Sequence, residues 1–90
     1  MKNTKDDKDI IEKQKKVREQ LIKKYIEYRK RRNLTQEELA DAMGITRPNI
    51  SRFEIGQCNP ILDLLVKMAE SMDVEIKIDL VNKEDVVEDE

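Results

Sequence analysis

Hydrophobic positions in the first third of the chain recur with a helical period. Ile22, Tyr25, Ile26 and Arg29 fall at i, i+3, i+4 and i+7, and Val17 and Leu21 extend the same stripe. From about Ile10 to Arg32 there is no glycine or proline, so the pattern predicts one long amphipathic helix over residues 10–32 that ends near Asn33. Two shorter helices follow, written in the same grammar. Thr35 and Glu38 form a capping box, and Leu34 before the cap pairs with Leu39 as a hydrophobic staple. This second helix, about 35–43, stops at Gly44, which can take the left-handed conformation. Ile45, Thr46, Pro48 and Ile50 then repeat the staple, the cap and a proline in the first turn, for a third helix over about 46–55 with Gly56 as its terminator.

Two short helices joined by a tight turn with one glycine cross steeply, which is a helix-turn-helix. Counted from Gln36, the unit's apolar positions are Leu39, Ala40, Met43, Ile45, Ile50 and Phe53, with small Ala40 where the helices touch. The plainer alternative is two unrelated short helices in a bundle. Asn59-Pro60 opens a fourth helix, about 60–72, whose apolar face runs from Ile61 through Leu65 and Met68 to Met72. The period then changes to two. Val74, Ile76, Ile78 and Leu80 alternate with Glu75, Lys77 and Asp79, which predicts a half-buried β-strand over 74–81. A lone strand leaves its backbone unpaired, so its partner would be the same strand of a second copy or another protein. The alternative is an extended tail. Residues 1–9 read as a polar disordered start and 82–90 as an acidic tail. The expected fold class is all-α: a helix-turn-helix domain over 10–73 plus one C-terminal strand.

Composition narrows this picture. Ninety residues make one small domain, and 38% hydrophobic with 3% aromatic residues predicts a small aliphatic core. No stretch is apolar enough to span a membrane, and MKNTKDDKDIIEK lacks the apolar centre of a secretory leader. One cysteine and no histidine fit a reduced cytoplasmic setting and argue against metal ligation or any cofactor held that way. Cys58 has no histidine to activate it and no carboxylates pair as acid and base, so an enzyme is not expected. The net charge of −2 is uneven: residues 1–35 sum to +7, residues 36–73 to −4 and residues 74–90 to −5. The basic part could face a polyanion, or could be a solvated helix.

The stretch RKRRNLTQEELADAMGITRPNISRFEIGQCNP resembles the lambda-repressor-like (Cro-type, XRE) helix-turn-helix family. The matching positions are Arg29, Leu34-Thr35-Gln36, Leu39-Ala40, Gly44, Thr46, Ile50-Ser51, Glu54-Ile55-Gly56 and Pro60, within about residues 17–72. Pro48 departs from the pattern, in a slot where the family often carries a DNA-contacting residue. The long first helix and the VEIKIDL ending are further similar to HigA-type antitoxins, which dimerise, bind their own operator and neutralise a small ribonuclease toxin. The resemblance implies double-stranded DNA carrying an inverted-repeat operator as ligand, a homodimer, and a small basic toxin as a possible partner. A stand-alone regulator and a protein-binding adaptor are the alternatives.

Within that resemblance the third helix lies in the major groove. Arg47 leads the candidates for base reading, with Asn49, Ser51 and Arg52 behind it and Thr46 at the helix start. Gln36, in the first turn of the second helix, and Gln57, in the loop 56–59, are candidates for phosphate contact, and Lys30, Arg31 and Arg32 for flanking the DNA. Arg29 and Glu54 match the family's buried ion pair. The strand positions Val74, Ile76, Ile78 and Leu80 are the expected dimer or partner contact.

Overall fold

The computed structural model describes residues 7–86. Four helices make the fold: α1 Asp7–Arg31, α2 Gln36–Met43, α3 Arg47–Glu54 and α4 Leu62–Ser71. A short 3-10 turn, Lys83–Asp85, follows. α1 starts three residues earlier than the pattern predicts, with Asp7 and Asp9 in its first turn, where carboxylates favour the positive end of the helix. At 25 residues it is about 37 Å long. Only its second half meets the core, through Ile22 and Tyr25, so Ile11 and Val17 stay exposed.

The core gathers Ile22, Tyr25, Leu39, Ala40, Met43, Ile50, Phe53, Met68, Ala69 and Met72. α2 packs on both α3 and α4, and α1 packs on α3. The rings of Tyr25 and Phe53 meet edge to face at 5.6 Å. The Tyr25 hydroxyl donates to Leu65 O at 2.8 Å, which satisfies the one polar atom of that ring. Burial pushes its phenol above the ordinary tyrosine value, because the charged form would be desolvated.

All four helices end in one way. Asn33, Gly44, Gly56 and Asp73 each have positive φ, between 58° and 81°. The next residue donates its N–H back five positions: Leu34 to Arg29 O, Ile45 to Ala40 O, Gln57 to Arg52 O and Val74 to Ala69 O. This closure satisfies carbonyls that a helix end leaves open. Leu34, Ile45 and Val74 also press onto the core, so each stop turns the chain inward.

The capping box of α2 is present as expected: Glu38 N–H donates to Thr35 Oγ1 at 3.0 Å and Thr35 N–H donates to Glu38 Oε1 at 2.9 Å. Thr46 occupies the cap position of α3, but its hydroxyl makes no cap bond. Two causes combine. Pro48 has no N–H to give, and Asn49 N–H goes to the Thr46 carbonyl at 3.0 Å. α4 begins at Leu62, with Ile61 rather than Asn59 at its cap, and it buries only Met68, Ala69 and the following Met72.

The expected β-strand over 74–81 is absent: among the described residues there is no strand, and this segment has no regular structure. A ladder needs a second extended segment, and no other described segment pairs with this one. The alternation has a different use at its start. Val74 and Ile76 pack against the core, while Ile78 is 75% and Leu80 93% exposed. Of the expected disordered start and acidic tail, residues 1–6 and 87–90 lie outside the described residues.

One polar cluster ties the helices together. Arg29 donates through Nε to Glu54 Oε2 at 2.6 Å and through Nη2 to Oε1 at 3.1 Å. Its Nη1 donates to Leu34 O at 2.7 Å. The two side chains are 11% and 8% exposed, so losing one partner strands a charge away from water. Glu54→Ala is expected to cost about 3–5 kcal/mol. For a domain of this size that is a fall of more than about 10 °C in melting temperature, read by circular dichroism; an unchanged curve would discard the coupling. Gly44→Ala tests the turn. A Cβ there meets nothing within 4 Å, so its cost is the left-handed backbone alone, about 1–2 kcal/mol by urea titration.

Candidate nucleic-acid interface

α3 divides cleanly by face. Ile50 and Phe53 are buried, with 0% and 1% exposure, and set the inward direction. Residues two positions either side of Ile50 lie about 200° around the helix from it. Pro48 and Arg52 therefore head the outward face, and both are exposed. Arg47 and Asn49 flank that line and are exposed, whereas Ser51 is half-buried. The structure brings Asn49 and Arg52 together: Arg52 Nη2 donates to Asn49 Oδ1. Their i, i+3 spacing, adjacent on a helix surface, was the available signal for this contact.

The first turn of α3 carries no acidic residue, and Arg47 sits in it. The first turn of α2 carries Glu37 and Glu38. Of the two helix starts, α3 is thus the more favourable to an anion.

The other candidates are placed less simply. Gln36 Nε2 donates to Glu54 Oε1 at 2.9 Å, so this amide extends the ion-pair cluster. The Gly56 and Gln57 N–H groups are used in closing α3, on Phe53 O at 3.1 Å and Arg52 O at 2.9 Å, so neither points away as a phosphate donor. The Gln57 side chain is exposed. Arg32 has a role that no local pattern announces. It donates through Nε to Met72 O at 2.9 Å and through Nη2 to Asp73 O at 3.0 Å, capping the C-terminal end of α4 some forty positions away. Arg31 pairs with Glu27 at 3.2 Å and lies over the Tyr28 ring at 4.9 Å, and Lys30 is exposed.

Among the described residues no group of histidine, cysteine, aspartate and glutamate side chains is arranged to hold a metal ion. No described helix is long and apolar enough to cross a membrane. Cys58 is free and half-buried.

Comparison with known proteins matches this architecture. A helix-turn-helix family model, HTH_3, covers residues 26–78, more than half of the chain. The chain is 38% identical over 48 residues to the uncharacterised HTH-type transcriptional regulator YqaE of Bacillus subtilis, which is 53% of this chain and 41% of that protein. It is 42% identical over 50 residues to the uncharacterised HTH-type transcriptional regulator MJ0272 of Methanocaldococcus jannaschii, 56% of this chain and 76% of that protein. The chain thus spans less than half the length of the first relative and about three quarters of the second. Among solved structures, a "Toxin-Antitoxin module from Streptococcus pneumoniae" superposes with a TM-score of 0.61 at 24% identity, over 88% of this chain and 85% of that one. That likeness is one of fold. The chain belongs to the HTH_3 helix-turn-helix family, of the lambda-repressor-like (XRE) kind.

Proposed function

We propose that this protein is a sequence-specific DNA-binding regulator of transcription, acting as a repressor at an inverted-repeat operator. The observation that carries the reading is the outward face of α3. Its apolar residues are spent on the core, and its exposed positions hold Arg47, Asn49 and Arg52. A helix so loaded suits the major groove, where arginine pairs with guanine and asparagine with adenine. The relatives named as transcriptional regulators support the same reading. One domain covers about half of such a site. Two copies with recognition helices about 34 Å apart would read both halves.

A second role has a separate support. The match to the toxin-antitoxin structure takes in 88% of the chain, beyond the residues 26–78 of the family model. The exposed apolar residues of α1 and α4, such as Ile11, Val17 and Leu62, offer surface that the DNA reading leaves unused. An antitoxin that also binds a small toxin protein would use such surface. Expression with the adjacent genes decides it: a stoichiometric small protein that is toxic alone supports the antitoxin, and a lone regulator in the eluate removes it.

DNA binding has its own test. Fluorescence anisotropy on the upstream DNA should show affinity falling steeply as salt rises, because phosphate contacts release counterions. The double variant Arg47→Ala/Arg52→Ala should lose at least about 2 kcal/mol of specific binding with an unchanged melting curve. No salt-sensitive binding to that DNA would leave a protein-binding adaptor.

A further inference from the structure

We infer that Asn49 is a positioning residue: its side-chain carbonyl holds Arg52 ready to read a guanine, which centres base selection on Arg52. The inference rests on the DNA-binding reading and specifies how its site works.

The side of α3 opposite buried Ile50 carries Pro48 and Arg52, both exposed, while the neighbouring Ser51 is half-buried. Pro48 has no polar side chain, so Arg52 is the exposed polar group on that side. A free arginine is a poor reader on its own, since many rotamers must be frozen before its fork meets a base edge. Here one bond restrains it: its Nη2 donates to Asn49 Oδ1. Nε, Nη1 and the second Nη2 proton stay available. Guanine offers two acceptors, O6 and N7, to such a fork.

The same bond changes what Asn49 can do. Bidentate adenine reading needs the asparagine carbonyl to accept from N6 while its amide donates to N7. With Oδ1 already accepting from Arg52, an adenine N6 would have to share that oxygen through its second lone pair. The contact that readies Arg52 for guanine therefore ties the direction of the Asn49 carbonyl to Arg52.

The experiment is selection from a randomised double-stranded DNA pool by the full chain, followed by sequencing. It is repeated with Arg52→Ala, Asn49→Ala and Asn49→Asp. All three changes fall on exposed residues, and melting curves check that each variant folds. The wild type should select a guanine whose preference falls about tenfold or more in Arg52→Ala. Asn49→Ala should weaken that same guanine by about two- to tenfold and leave other positions unchanged. Asn49→Asp should restore it, because a carboxylate accepts from the same guanidinium. A guanine preference indifferent to Arg52 would overturn the inference. So would Asn49→Ala erasing an adenine while the guanine survives, or Asn49→Asp behaving like Asn49→Ala. Retention of no DNA sequence by the wild type would remove the DNA-binding reading, and this inference with it.

Discussion

The carboxylate of Glu54 gathers parts of the chain that are far apart in sequence. It stands at the last residue of α3 and receives Arg29 from α1 and Gln36 from the first position of α2. Arg29 also holds Leu34 O, in the bend between α1 and α2. A buried ion pair adds little stability compared with well-packed apolar residues, since both charges give up water. What it adds is direction. The fork of Arg29 and the two oxygens of Glu54 fit in one geometry, so the end of α3 cannot rotate without breaking several bonds. The outward placing of Arg47, Asn49 and Arg52 follows from that restraint and from the burial of Ile50 and Phe53.

Packing supplies the energy that the polar cluster does not. Leu39, Met43, Ile50, Phe53, Met68 and Met72 are almost wholly buried, each worth about 1.5–3 kcal/mol relative to exposure. The left-handed stops let short helices reach that core. After Asn33, Gly44 and Asp73 the next side chain is Leu34, Ile45 or Val74, and each turns in against the core. After Gly56 it is Gln57, which stays exposed. The one stop without an inward apolar residue is thus the one that ends the candidate reading helix, and its closing bond falls on Arg52.

Much of this was legible in the chain. The helical stripe of α1, the capping box at Thr35 and Glu38, the stop at Gly44 and the helix-turn-helix itself are local patterns, and local patterns act through neighbouring residues. The Arg29–Glu54 pair was legible only through resemblance to a family, since 25 positions separate the partners. Arg32 on the end of α4 and Gln36 on Glu54 were not legible, because their partners are brought near only by the fold. The strand read into residues 74–81 shows the converse error. An alternation of period two says which side chains share a face, and it does not supply a partner for the backbone.

The sequence by itself determined where helices stop and which faces are apolar, because turn conformation and periodicity are settled within a few residues. Only the tertiary structure decided which of those faces become core. It placed Val74 and Ile76 on the core and left Ile78, Leu80 and the first half of α1 outside. It also decided which polar groups are already taken. A side chain's capacity to bond is written in its chemistry, but which group it meets depends on distances that exist only once the helices have packed.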